Sequence, residues 1–200
     1  MRERTVMIDK KERLASRLGP EIAEFVASQQ SLLLASLGED DFPHSSYAPF
    51  ICHEGIFYIL ISDISKHANY LRKHEKAAIM LIADEVDTKQ IYARKRLSYD
   101  VIAKQIDAEP RETVLDLLQQ RHGEIVGNLR QLSDFQLFSL QPLKGRYVKG
   151  FGQAFDIKGL DDVDFVHLHN HSQFSVLQST MSVSDIVSAA AEYNMPAVAL

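Results

Sequence analysis

The sequence has little with which to cross-link its chain, cross a membrane or bind nucleic acid. Its single cysteine, Cys52, excludes an internal disulfide. No stretch approaches the roughly 18 apolar residues of a transmembrane helix, and the charged N-terminus has no apolar run of signal-peptide length. The net charge of -5 argues against a nucleic-acid-binding protein, since such proteins usually carry a basic surface. We therefore expect a cytoplasmic protein without nucleic-acid or membrane partners.

Several familiar catalytic motifs are also missing. The sequence has no glycine-rich phosphate loop, no Ser, His and Asp at a spacing that predicts a catalytic triad, and no cysteine cluster that could bind zinc. Its 46% hydrophobic and 24% charged residues, in a chain of 200, are an ordinary globular composition. Any chemistry must therefore come from local groups of polar side chains on one folded core.

The hydrophobic pattern predicts a mainly β protein with some helices. Short apolar or alternating runs predict strands at residues 31–37, 44–53, 56–62, 77–83, 90–105, 134–140 and 147–157, with a turn at Pro142. Helical spacing predicts helices over residues 8–29, interrupted at Gly19–Pro20, over 64–75 and over 110–132, with Gly123 as a candidate break. The order favours an α+β fold, a small antiparallel barrel of about six strands with helical caps.

Three histidines follow the last predicted strand. His167, His169 and His171 fall within five residues, and neutral imidazole is the commonest side-chain metal ligand. They are candidate metal ligands, the alternative being a solvated tail.

A second group of candidates is cationic. Arg94, Lys95 and Arg96 lie inside the predicted strand over residues 90–105, where alternation would place the two arginines on one face. Paired arginines suit a carboxylate or phosphate, which accepts forked hydrogen bonds. The alternative is a charged outer face or salt bridges between subunits.

Other polar residues give weaker signals. Ser45, Ser46 and Tyr47 could donate hydrogen bonds to a bound cofactor or simply be satisfied within the barrel. Lys66 and His67 open a predicted helix, whose free amides favour anions. The remaining histidines are expected at the surface, namely His44, His53, His74 and His122.

Six short stretches together resemble the haem-utilisation proteins of the HugZ/HutZ type, within the pyridoxamine-phosphate-oxidase-like split-barrel superfamily. They are Leu32–Ser36, Ser46–Phe50, Ile61–Ser62 with Lys66–Leu71, Ala93–Asp100, Phe135–Phe138 and Val148–Phe155. The resemblance implies a homodimeric six-stranded barrel of the FMN-binding split-barrel type that binds haem near the subunit interface. It also implies an external electron donor for oxidative haem breakdown.

The same resemblance implies roles for particular residues. A tail histidine would ligate the haem iron, with His171 as first choice and His169 as second, and Asp134 would orient it. Arg94 or Arg96 would hold a propionate or assist bound oxygen. Asp134 has the alternative interpretation of a turn residue before a strand. An FMN-binding oxidoreductase and a non-catalytic haem carrier are the alternative functions.

The tail carries a second resemblance. From Phe165 to Leu200 the sequence is similar to the opening of the PHP domain of bacterial DNA polymerase III alpha subunits. There, His169 and His171 would form a first metal-binding pair, but the remaining ligands belong to later motifs that the sequence does not contain. We therefore expect a split-barrel haem-binding domain over residues 1–164 and a tail over 165–200 that is not an independent domain.

Overall fold

Six antiparallel strands close into a barrel in the computed structural model, which describes residues 16–159, 162–164 and 188. The strands are β1 (Ser31–Leu37), β2 (Pro43–His53), β3 (Ile56–Ser62), β4 (Lys76–Ile82), β5 (Arg96–Gln105) and β6 (Phe135–Gly150). Around the barrel their order is β3, β2, β1, β4, β5, β6, and β3 pairs with β6 to close it. The predicted six-stranded split barrel is thereby confirmed.

In β1 and β5 the barrel interior is built by alternation along the strand, whereas Phe57–Ile59 of β3 are buried in succession. In β1, Leu32 and Leu34 are buried whereas Leu33 is 44% exposed. In β5, Leu97 and Tyr99 point inward and are almost completely buried. Period-two burial of large apolar side chains fixes the register of β1 and β5, because a slip of one residue would turn the whole apolar set outward.

The last barrel strand is longer than its partners and corrects the prediction for this region. Residues 135–140 of β6 pair with β3, and residues 144–150 pair with a further strand, β7 (Gln153–Lys158), which in turn pairs with β8 (Asp162–Asp164). The predicted turn at Pro142 is therefore wrong, and the chain turns after Gly150 instead. Pro142 is tolerated because it lies where β6 changes partners, so its missing N–H costs little.

In the stretch from residue 16 to residue 159, four helices cover the barrel. They comprise α1 over residues 16–28, α2 (Lys66–His74), α3 (Arg111–His122) and α4 (Glu124–Leu129). The predicted interruption at Gly19–Pro20 is wrong, because residues 16–28 are helical throughout, although residues 8–15 of that prediction lie outside the described range. Burial of Leu18 and Ile22 against the barrel stabilises this segment enough to offset the hydrogen bond that proline removes. The break at Gly123 is confirmed.

The strand predicted over residues 90–105 begins late. Residues Ile91–Ala93 form a short 3-10 helix, and β5 starts only at Arg96. Arg94 and Lys95 therefore lie in the connection between β4 and β5, where strand alternation does not apply. Among the residues that the structure describes, no helix has the length and apolar character needed to cross a membrane.

One close backbone approach depends on glycine. Gly145 of β6 pairs with Tyr99 of β5 beside an irregularity in the register. A Cβ at this position would lie 2.5 Å from the carbonyl oxygen of Ser98 and would overlap the Tyr99 ring. That ring is held in place, because its hydroxyl donates a hydrogen bond of 2.7 Å to the carbonyl of Gly159.

Replacing Gly145 by alanine should therefore destabilise the protein by about 1–3 kcal/mol, as expected for overpacking of a tight site. Urea denaturation followed by circular dichroism measures this. The matched control is Gly19→Ala on α1, where a Cβ meets nothing within 4 Å, and helix propensity should stabilise by about 1 kcal/mol. Equal stabilities of the two variants would contradict the packing account.

Candidate functional site

A cleft of about 770 Å³ opens at the end of the barrel where β4 passes into β5. The end of α1, the start of β1 and the loop after β4 form its walls, and the turn after β6 forms its rim. Its apolar lining comprises Phe25, Leu33, Met80, Ile82, Ala83 and Ala93. The volume lies within the range of roughly 300–1,000 Å³ that is usual for cofactor sites.

Two lysines at the cleft share one carboxylate. Lys149 of β6 lies with its Nζ 2.8 Å from Glu21 Oε2, and Lys95 Nζ lies 3.6 Å from Glu21 Oε1. The hydroxyl of Tyr147 also donates to Glu21 Oε1 at 2.8 Å. The Lys95 ammonium is 5.6 Å from the centre of the Phe25 ring, within cation–π range. Glu21 thus ties α1 to both sides of the cleft.

The protonation of Glu21 follows from this network. Burial raises the pKa of the Glu21 carboxyl, but the hydrogen bonds from Lys149 and Tyr147 and the charges of both lysines outweigh it, so the pKa falls below its ordinary value. Glu21 is therefore ionised at neutral pH, and the group of two ammoniums and one carboxylate carries one net positive charge.

The two arginines of the cationic motif are both engaged by backbone groups. Arg94 donates from Nε to the carbonyl of Ala83 at 2.5 Å and from a terminal nitrogen to Glu85 at 2.9 Å. Arg96 donates to the carbonyl of Arg94 at 3.0 Å. They secure the β4–β5 connection that carries Lys95 into the cleft, and neither arginine lines the cleft itself.

Asp134 lies at the start of β6 and is half-buried. Its Oδ2 accepts a hydrogen bond of 2.8 Å from the Ser62 hydroxyl, and its carbonyl accepts one of 2.7 Å from the amide of Asp63. Next to it, Asp63 pairs with Arg72 of α2, whose Nε donates to Gln105 at 2.8 Å. The turn interpretation and an orienting role both fit this geometry.

Within one chain, Asp134 and the cationic motif are at opposite ends of the barrel. Arg96 is the first residue of β5 and pairs with Val148, whereas Gln105 at the other end pairs with Phe138. Nine residues of strand span about 30 Å at 3.3 Å per residue. The structure therefore does not bring Asp134 to Arg94 or Arg96 in a single copy.

The weaker candidates lie away from the cleft. Ser46 donates a long hydrogen bond of 3.5 Å to the carbonyl of Leu34, and Tyr47 is 65% exposed on the outer face of β2. Lys66 is exposed at the first position of α2, as predicted. None of these three lines the cleft.

The remaining histidines are less exposed than expected. His44 and His74 are half-buried, and each has one ring nitrogen that is buried without a hydrogen-bond partner among the described residues. His122 lies 3.0 Å from the carbonyl of Phe50. Burial and the charge of His44 lower the pKa of His67. The tail histidines, His167, His169 and His171, lie outside the described residues.

Two residues of the network around Glu21 escaped the sequence analysis. Glu21 and Lys149 are 128 positions apart, and only the fold brings them together. The available signal was an acidic residue next to the apolar Ile22 of α1 and a lysine beside Gly150. Burial raises the pKa of the Cys52 thiol to about 11, consistent with the absence of a cysteine nucleophile.

Comparison with protein families identifies two regions of the chain. Residues 18–149 match the model for pyridoxamine 5'-phosphate oxidase, and residues 167–200 match the PHP domain. The first match spans the whole barrel. The second covers the tail in which the three neighbouring histidines lie.

Individual relatives are similar over most of the chain. The heme oxygenase HutZ of Vibrio cholerae is 46% identical over 161 residues, which are 80% of this chain and 92% of that protein. A crystal structure of Vibrio cholerae HutZ, described as a heme storage protein, matches with a TM-score of 0.59 at 42% identity, covering 62% of this chain and 88% of its own. The crystal structure of Campylobacter jejuni ChuZ matches with a TM-score of 0.69 at 34% identity, covering 78% of this chain and 68% of its own.

The Glu21 network predicts a pH dependence of stability. A carboxyl whose pKa is lowered by folding stabilises the folded state above its unfolded pKa, and that contribution is lost as pH falls through the folded pKa. Glu21→Gln should therefore lower the free energy of unfolding by about 1 kcal/mol at pH 7. This difference in stability between the variant and the wild type should shrink as the solution is acidified below pH 4. Denaturant titrations between pH 7 and pH 3 measure it, and a difference independent of pH would contradict this assignment.

Proposed function

The chain belongs to the pyridoxamine 5'-phosphate oxidase family. We propose that it binds haem and breaks it down oxidatively to release iron. The observation that carries the proposal is the cleft, an apolar-walled space beside two lysine ammoniums, in a chain 46% identical to a protein named heme oxygenase HutZ.

The residues of the cleft fit the chemistry of haem. Haem is a flat apolar ring with two carboxylates on one edge, so its site needs apolar walls and cations on one side. Phe25, Leu33 and Met80 supply apolar wall, and Lys95 and Lys149 supply ammonium groups. The loop after β4 adds Lys89 and the carboxylates of Asp84 and Asp87 to the lining, on the side of the cleft away from the strands. Charge-assisted hydrogen bonds from Lys95 and Lys149 would hold a carboxylate and orient the ring edge toward β6.

The iron ligand has to come from elsewhere in the chain. None of the described residues that line the cleft is a histidine or a cysteine. The tail after β8 contains His167, His169 and His171, and a neutral imidazole is a common haem ligand. We propose His171 as the ligand, with His169 as the alternative.

The proposed site requires a second copy of the chain. Asp134 lies near the Gln105 end of β5, to which it is linked through Asp63 and Arg72. Arg96 is at the other end of that strand, about 30 Å along it, so Asp134 is too far away to orient a ligand of haem bound in the cleft of the same copy. In a homodimer with a two-fold axis across the strands, the Asp134 end of one barrel lies beside the cleft end of its partner. Asp134 would then accept a hydrogen bond from the ring nitrogen of the ligating histidine and raise its basicity.

The outer sheet face supplies a surface for this homodimer. Leu33 of β1 pairs with Tyr47 of β2 on one side and with Met80 of β4 on the other, so the three side chains form a row across the outside of the barrel. Leu33 and Tyr47 are 44% and 65% exposed. Exposed apolar rows of this kind mark interfaces, and Leu33 and Met80 are shared with the cleft.

Bound haem would supply a redox-active iron that activates dioxygen, with electrons from an external donor. The protein's own part is to hold the carboxylate edge with Lys95 and Lys149, to keep water from the ring with the apolar wall, and to orient the iron ligand through Asp134. Arg94 is placed to fix the loop after β4 over the cleft, through Ala83 and Glu85.

FMN binding and simple haem carriage are the competing functions. Lys66 at the exposed start of α2 offers an ammonium beside free helix amides, which would suit a flavin phosphate. A haem carrier would use the same cleft without breaking the ring. Ascorbate or a reductase added to the haem complex separates these outcomes, since only haem breakdown removes the haem spectrum.

Hemin titrated into the full chain should give a saturable Soret band. His171→Ala should weaken binding at least about tenfold and shift the band, because the iron loses its ligand, and His169→Ala should have a smaller effect. His53→Ala, at the far end of β2, is the control that should leave both unchanged. Absence of saturable hemin binding by the full chain, together with tight binding of FMN, would replace haem by flavin.

The homodimer is tested separately. Leu33→Asp places a charge in the middle of the apolar row and should convert the dimer into a monomer in sedimentation-velocity experiments, since an interface excludes unpaired charges. The control is Ile125→Asp on α4, a residue that is also exposed, at 56%, but lies away from this face. A wild-type monomer at micromolar concentration would exclude the interface.

A further inference from the structure

We propose that Ser62 is a positioning residue for Asp134, and that its hydroxyl holds the Asp134 carboxylate in the orientation that meets the histidine ligand of bound haem. The inference rests on the proposed function, in which Asp134 accepts a hydrogen bond from the ring nitrogen of that histidine. It assigns to Ser62, the last residue of β3, an effect on the haem iron that is transmitted through Asp134.

The hydrogen of the Ser62 hydroxyl points toward Asp134. The backbone amide of Ile64 lies 3.2 Å from Ser62 Oγ and can only donate, so the hydroxyl oxygen accepts there. The hydroxyl then donates its own hydrogen to Asp134 Oδ2 at 2.8 Å, since a carboxylate oxygen can only accept. The fold therefore fixes Ser62 as the donor and Asp134 as the acceptor of this bond.

The backbone around this bond is held on both sides. The carbonyl of Ser62 accepts hydrogen bonds from the amide of Ser65 at 3.0 Å and from its hydroxyl at 2.5 Å. The amide of Asp63 donates to the carbonyl of Asp134 at 2.7 Å. With both main chains fixed, only the side-chain torsions of Asp134 remain to be set, and the Ser62 hydroxyl sets them. Support of this kind is what holds a functional group in its productive geometry.

The Asp134 carboxylate keeps one oxygen for a ligand. Asp134 is half-buried, and within the ranges that the structure describes its Oδ1 has no hydrogen-bond or ion-pair partner. The guanidinium of Arg72 is directed to Asp63 and Gln105 instead. Oδ1 is thus the acceptor left for an imidazole N–H, and a carboxylate in that place makes the other ring nitrogen a stronger iron ligand.

A purely structural role for Ser62 has different consequences. Ser62 pairs with Phe135 in the seam between β3 and β6, so its hydroxyl also joins the two strands. If that were its whole role, Ser62→Ala would lower the stability of the fold and leave the bond between iron and histidine unchanged. A positioning role predicts that this bond changes in the folded protein.

The experiment measures the iron–histidine stretching frequency of the ferrous haem complex of the full chain by resonance Raman spectroscopy. Asp134→Asn keeps the size of the side chain but removes its charge, and should lower this frequency because the imidazole loses its carboxylate partner. Ser62→Ala should lower the frequency by a smaller amount and weaken hemin binding about tenfold. Ser62→Thr keeps the hydroxyl and should restore both values.

Two comparisons separate positioning from folding, and urea denaturation checks that each variant is folded. Ser139→Ala removes another hydroxyl of β6, which donates to the carbonyl of Lys104 at 3.3 Å, and should leave the frequency and the affinity unchanged. In the Asp134→Asn background, Ser62→Ala should cause no further fall in frequency, because Ser62 acts only through the carboxylate.

The outcomes separate the two levels of the proposal. Wild-type protein without saturable hemin binding overturns the haem function, and the inference with it. Haem binding with a frequency that Asp134→Asn leaves unchanged overturns the role of Asp134 and therefore that of Ser62. A frequency that falls in Asp134→Asn but not in Ser62→Ala overturns the positioning role alone. Additive falls in the double variant would show that Ser62 acts on the haem by another route, which also overturns the inference.

Discussion

The pairing of β3 with β6 is the constraint on which the rest of the molecule depends. Residues Phe57–Ser62 lie beside residues 135–140, and this contact closes the six-stranded part of the sheet into a barrel. Because β6 is much longer than β3, its second half leaves the barrel seam and pairs with β7 instead. The strand that closes the core therefore also carries Lys149 to the cleft.

Closure explains why the cleft forms where it does. The seam between β3 and β6 is part of the barrel wall, and α3 and α4 pack on its outer side through a second apolar cluster around Ile51, Tyr58 and Leu137. At one end of the barrel, α1 lies across the core and the β4–β5 connection projects beyond the strands. The space between these two elements is the cleft, with apolar side chains from the strands on one side and the ammonium groups of Lys95 and Lys149 on another.

The barrel strands hold Asp134 and Arg94 far apart, which is why the proposed site needs two copies of the chain. Asp134 is tied to Ser62 and Asp63, and Arg94 is tied to Ala83 and Glu85, so neither can move about 30 Å toward the other. If both act on one bound molecule, they belong to different copies of the chain. The exposed apolar row around Leu33 lies between the two ends and would bring the copies together.

The local sequence determined those strands and helices whose hydrophobic pattern matches the burial of their side chains in the fold. The short apolar runs at residues 31–37 and 56–62 predicted the bounds of β1 and β3, and the helical spacing around Lys66 predicted α2. It also placed Lys95 among the candidates. Tertiary structure decided the path of Gly19–Pro20, the continuation of β6 through Pro142 and the late start of β5. It also joined Glu21 to Lys149 across 128 positions. Packing and strand partnership outweigh local propensity at such points, because burial of neighbouring apolar side chains stabilises more than one lost hydrogen bond costs.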